Sequence, residues 1–106
     1  MTKTTDIGNR VDPWKPETNP SRQAILGKTQ EELCELGIAI ARCQIQGIDE
    51  INPTTTETNR NELADELDDM ETMIMILREE FKIPRNFDRQ HRKHRAQHIW
   101  YEGLKA

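Results

Sequence analysis

The sequence predicts an all-α fold: an antiparallel helical hairpin plus a C-terminal helix, with a four-helix-bundle core completed by oligomerisation. Three observations point there. Apolar residues recur every three or four positions in two long segments, no segment alternates with the two-residue period of a strand, and caps or breakers bracket each helical stretch. The chain has 106 residues, 34% hydrophobic and 32% charged, with a mean hydropathy of −0.88. That is thin for a monomeric core. A chain this short, folding alone, buries only about 60–65% of its extended surface, so a partner subunit is expected.

Residues 1–20 carry Pro13, Pro16 and Pro20 around Trp14 without a sustained period. They read as an irregular N-terminal arm with Trp14 as a packing anchor, and residues 21–106 as a single helical domain. Ser21 is the expected N-cap of a first helix running to about Gln46 and ended by Gly47. Residues 48–61, which contain "NPTTTETN", form a polar connection with a breaker at Pro53. Thr58 or Asn59 caps a second helix continuing to Lys82, where Pro84 stops it. Asn86 then caps a third helix from Phe87 to about Leu104.

Helix one carries a stripe at Ile25, Thr29, Leu33, Leu36, Ile40 and Cys43, and helix two a matching stripe at Leu63, Leu67, Met70, Ile74, Leu77 and Phe81. Two such helices pack against each other as an antiparallel hairpin. The third helix lacks an equally apolar stripe and shows Phe87, His91, His94, His98 and Tyr101 at the same stepping. Its "HRKHRAQH" segment admits three readings: a histidine metal site, a basic phosphate-binding face, or a subunit contact.

A net charge of −4 gives no general electrostatic case for nucleic acid or an anionic membrane, although the last twenty residues are locally basic. The longest uninterrupted apolar run is Met73–Leu77 and no apolar leader follows Met1, so a soluble, cytoplasmic protein is expected. Cys34 and Cys43 stand about 13 Å apart along one helix axis and cannot bridge within it, which fits reduced thiols. There is no GxxxxGK[ST] loop, no GxGxxG fingerprint and no CxxC. Neither main helix has the Glu-x-x-His pair of a di-iron bundle.

What stands out chemically is acid. "NELADELDDMETMIMIL" places Glu62, Asp65, Glu66 and Asp69 as like-charge neighbours one turn apart, an arrangement that destabilises an isolated helix. In helix one, "EELCELG" sets Glu32 and Glu35 along the edge of the apolar stripe, with Glu31 pointing further out. If the stripes face each other, the flanking carboxylates converge at one opening of the hairpin. A divalent cation relieves their repulsion. An all-oxygen set suits Mg²⁺, or Mn²⁺, rather than zinc, and magnesium held this way keeps positions for substrate phosphates. The competing reading is a small helical interaction protein whose acidic face binds a basic partner.

"EELCE", followed after 26 residues by "ELAD", resembles the EExxE…ExxD signature of the MazG-like all-α nucleoside triphosphate pyrophosphohydrolases. The resemblance covers residues 21–82 and implies a helical, metal-dependent homo-oligomer, dimer or tetramer, that cleaves (d)NTP to the monophosphate and pyrophosphate. It implies Glu32, Glu35, Glu62 and Asp65 as metal ligands and Glu31 as a supporting acid. Water attacks the α-phosphorus in such a reaction, and Glu31 or Glu66 can accept its proton. Lys28 and Arg42 share the face of Glu32 and Glu35 and can contact a polyphosphate, although Lys28 can equally form a salt bridge with Glu32. One departure stands in the second motif, where Glu66 and Asp69 form another ExxD overlapping the first. By rotation they lie about 60° and 120° from the stripe centre, against about 100° and 160° for Glu62 and Asp65. Rotation favours the later pair and the resemblance the earlier one; we expect Glu62 and Asp65.

Overall fold

Asn19, rather than Ser21, opens the first helix. Its side-chain oxygen accepts the Arg22 N–H at 3.1 Å, and Pro20 takes the first helical position, where a missing N–H costs nothing and the fixed φ is already helical. The computed structural model describes residues 14–105, so the first thirteen positions of the expected arm lie outside the described residues; Trp14 is 86% exposed. Three helices follow: α1 (Pro20–Gln46), α2 (Asn59–Phe81) and α3 (Phe87–Leu104). Among the described residues there is no strand, only an isolated bridge between Ile51 and Thr58. No helix is long and apolar enough to cross a membrane.

Each terminus has a local cause. α1 stops at Gly47, whose φ of +100° disfavours any side chain and whose N–H reaches the Cys43 carbonyl at 2.9 Å. The Thr58 hydroxyl accepts the Asn61 N–H at 3.1 Å and starts α2. Lys82 ends it in the left-handed conformation, two residues before Pro84. Asn86 accepts the Arg89 N–H at 2.9 Å and opens α3.

α1 and α2 form the antiparallel hairpin. The Arg22 guanidinium lies 5.3 Å from the centre of the Phe81 ring at one end, and Cys43 Sγ donates to the Asn59 carbonyl at 3.7 Å at the other. The seam between them takes in most of the expected stripes, with Ile25, Thr29, Leu36, Cys43, Leu63, Met70, Leu77 and Phe81 half-buried, and departs from them by part of a turn at the other four positions. Ala39 and Met73 are its most buried apolar residues, and Glu32 and Glu66 are partly buried in it. Leu33, Ile40, Leu67 and Ile74, expected inside, are 55%, 49%, 44% and 40% exposed. Each of these four follows a seam residue by one position: Glu32, Ala39, Glu66 and Met73 respectively. In antiparallel helices the same rotational offset carries both pairs to one side of the hairpin, which is therefore apolar. Glu35, Ile38 and Arg42 of α1, and Glu62 and Asp65 of α2, precede seam residues by one position and occupy the opposite side.

The connection between the helices is tied down by two buried amides. Asn59, 1% exposed, donates from Nδ2 to the Gly47 carbonyl at 2.8 Å. Asn52, 3% exposed, accepts the Thr54 N–H at 3.0 Å, while its backbone bonds Glu57 and Thr56. Asn59→Ala removes the clasp between the end of α1 and the start of α2, and is expected to cost about 1–3 kcal/mol in urea unfolding. An unchanged midpoint would show that the clasp is dispensable. α3 packs against neither hairpin helix, and Phe87, Ile99, Trp100 and Leu104 are all more than 60% exposed.

Candidate metal centre

Because Glu32 and Glu66 sit in the seam, their carboxylates are brought together from facing helices. Glu35, one turn along α1 from Glu32, joins them. One oxygen from each of Glu32, Glu35 and Glu66 lies within 4.8 Å of the others. Glu32 Oε2 and Glu66 Oε2 are both buried and have no hydrogen-bond partner. Buried polar atoms are ordinarily satisfied, so two unpartnered acceptors on converging acids single these side chains out as a candidate cation site.

The electrostatics agree. Burial between the helices is the largest influence pushing the Glu32 carboxyl above its ordinary value, followed by its hydrogen bond to Glu35, the charge of Glu35 and that of Asp69, while Lys28 pulls the other way. Glu66 is also raised, first by burial and then by Asp69, Glu32, Asp65 and Glu62. A hydrogen bond between two carboxyl groups needs a proton shared between them. A divalent cation does the same work at neutral pH without that proton.

Both shifts are upward, so folding takes up protons at a pH where the same side chains, near 4.5 in the unfolded chain, are already ionised. Their contribution to stability is full below 4.5 and is lost as pH rises through the raised values. Glu62 has the opposite sign. Hydrogen bonds from Asn52 and Thr55, aided by the charge of Arg42, hold it below its ordinary value, so its contribution is lost as pH falls. With chelator present, Glu32→Gln and Glu66→Gln are both expected to flatten the decline in Tm as pH rises above 4.5, because both carboxyls are raised from that value in the folded chain. Thermal scans across that range check this; identical slopes in wild type and variants would contradict it.

Beside the triad lies an open cavity of about 280 Å³, lined by Glu35, Ile38, Arg42, Glu62, Asp65 and Glu66 among others. The expected residues are distributed around it unequally. Glu32 and Glu35 meet Glu66 rather than Glu62 and Asp65. Glu62 is turned to the connection, accepting from Asn52 Nδ2 at 3.0 Å and lying 3.9 Å from Arg42 Nη1. Asp65 is exposed on the cavity wall. Asp69, the second acid of the overlapping motif, is close enough that its charge acts on both Glu32 and Glu66. Glu31 faces outward and is paired with Lys28, whose ammonium also lies 3.8 Å from Glu32. Lys28 thus neutralises the outer acids of α1, while Arg42 reaches the cavity.

No family model matches the chain, and neither a curated protein nor a solved structure matches it significantly. The likeness to the MazG-like family therefore rests on the two acidic motifs and their separation. Asn52 was not among the residues the sequence singled out, and the Asn-Pro step in "NPTTTETN" signals a turn without revealing that its amide is buried against a carboxylate. The rotational offset of Glu66 is the signal that pointed to the third member of the triad, and the expectation passed it over for Glu62 and Asp65. In α3, His94 and His98 stack with ring centres 6.2 Å apart and His98 Nδ1 meets the Tyr101 hydroxyl at 2.7 Å. Among the described residues these histidines join no cluster of possible metal ligands.

Proposed function

We propose that this protein is a divalent-cation-dependent nucleoside triphosphate pyrophosphohydrolase, converting (d)NTP to (d)NMP and pyrophosphate by attack of water on the α-phosphorus. The observation that carries the reading is the pair of buried, unpartnered oxygens on Glu32 and Glu66 beside Glu35. These three side chains are the core of the cation site, with Asp69 the adjoining acid. The donors are all carboxylate oxygens, which fits Mg²⁺ or Mn²⁺. When bound there, such an ion offsets phosphate charge and activates a water molecule.

The chain's own residues supply the rest. Arg42 offers the cavity a cation for phosphate oxygens. Asp65, exposed on the same wall, is placed to accept the proton of the attacking water. Glu31, paired with Lys28, helps hold the outer edge of α1. The apolar side of the hairpin, with Leu33, Ile40, Leu67 and Ile74, faces a second copy in a four-helix bundle, leaving the acidic side open to substrate.

A panel of ribo- and deoxyribonucleoside triphosphates, incubated with Mg²⁺ or Mn²⁺ and followed by phosphorus NMR, tests the activity. At least one should give monophosphate and pyrophosphate without orthophosphate. If none is cleaved with either metal, the enzyme reading fails.

A further inference from the structure

The cavity lined by Glu35 and Glu66 is also lined by Arg42 and Glu62, which belong to a chain of contacts that the cation site leaves unused. Arg42 is the only cation lining the cavity among the described residues, and its side chain is 37% exposed. Acids surround it, yet the carboxylate it approaches is that of Glu62, at 3.9 Å. That separation is an ion pair without a short hydrogen bond, so the guanidinium N–H groups remain available to another acceptor. The same Glu62 oxygen, Oε1, receives the Asn52 amide at 3.0 Å. Asn52 in turn is buried and fixed on its other polar groups: Oδ1 accepts from Thr54 N–H at 3.0 Å, its N–H donates to the Glu57 carbonyl at 2.8 Å, and its carbonyl accepts from Thr56 N–H at 2.7 Å. A rigid connection thus holds an amide, the amide holds a carboxylate, and the carboxylate holds an arginine at the cavity.

We infer that Asn52 and Glu62 are positioning residues for Arg42, and that the three form a preorganised phosphate-binding wall in the cavity that Glu35 and Glu66 also line. The inference deepens the hydrolase reading and rests on it for the identity of the ligand as a polyphosphate. A free arginine side chain loses rotamer freedom when it binds, whereas one already steered by an ion pair loses less. Glu62 therefore belongs to the substrate side of the site and not to the cation.

Two substitutions test the chain without changing net charge. Asn52→Ser keeps an oxygen for the Thr54 N–H but cannot reach Glu62, and Glu62→Asp keeps the carboxylate but withdraws it by one methylene. Inorganic triphosphate is the probe, titrated calorimetrically with and without Mn²⁺, and Mn²⁺ alone is titrated by electron paramagnetic resonance. Both variants, folded by circular dichroism, should bind triphosphate about tenfold more weakly, the order expected for a charge-assisted hydrogen bond. Both should bind Mn²⁺ as wild type does. In an Arg42→Ala background neither should weaken triphosphate binding further, because both act through the arginine.

Wild-type affinity in both variants overturns the inference. So does an equal loss in the Arg42→Ala background, and so does weakened Mn²⁺ binding by Glu62→Asp, which would make Glu62 a ligand. Failure of the wild-type protein to bind Mn²⁺ defeats the hydrolase reading instead, and the metal-free triphosphate titrations still decide the role of Arg42. A wild-type protein that binds no triphosphate under either condition defeats the inference.

Discussion

Glu66→Gln is expected to raise the Tm of the metal-free protein at neutral pH and to abolish magnesium-dependent pyrophosphate release. The two effects have one cause. Glu66 is held in the helix seam with an oxygen that finds no donor, next to Glu32 and within the field of Asp69. Glutamine keeps the shape, removes the charge and presents an N–H₂ group to the orphaned oxygen of Glu32, so it relieves the fold. It also deletes a ligand. Loss of activity should exceed the roughly 10–100-fold that outer partners of a metal site typically cost. Asp65→Asn should lower turnover yet keep the Tm response to Mg²⁺, because Asp65 lies on the cavity wall and outside the triad. Thermal scans in chelator and in Mg²⁺, alongside turnover, separate the outcomes. A destabilised Glu66→Gln protein with residual turnover would place the cation elsewhere.

The second large effect belongs to the apolar side of the hairpin. Ile40→Asp is expected to convert a dimer into a largely unfolded monomer at micromolar concentration. Leu33, Ile40, Leu67 and Ile74 project to one side and are left 40–55% exposed by the hairpin. In the proposed assembly, two copies joined through that side complete a four-helix core. An ionised carboxylate buried at its centre, with no partner, costs several kcal/mol, which is comparable to the total stability of a small domain. Sedimentation velocity checks the assembly, and circular dichroism at matched concentration checks the fold. A wild-type protein that sediments as a folded 12.4 kDa monomer would refute the assignment, as would an Ile40→Asp variant that remains a dimer.

Helix boundaries were legible because they are set locally. Asn86 and Thr58 cap where their residue types predict, and Gly47 ends α1 where a positive φ is needed. The exception, Asn19 for Ser21, turns on Pro20, which is a better first helical residue than a cap. The rotation of α1 and α2 was less legible. Leu33 and Leu67 are better core residues than Glu32 and Glu66 by hydrophobicity alone, and periodicity accordingly put them inside. The hairpin instead turns these two acids partly inward and these two leucines outward. Glu32 and Glu35 were readable from the edge of the stripe. Their partner was not, because two overlapping ExxD pairs differ only by a turn of helix, and the choice depends on how α2 is rotated against α1. Asn52 lies in a connection whose pattern carries no period, so its burial against Glu62 had no sequence signal.

The most direct test of the central claim is an anomalous difference map from crystals grown with Mn²⁺. A peak is expected among the carboxylates of Glu32, Glu35 and Glu66, with Glu62 still bonded to Asn52. A peak at Glu62 and Asp65, or no peak near the triad at saturating Mn²⁺, would contradict it.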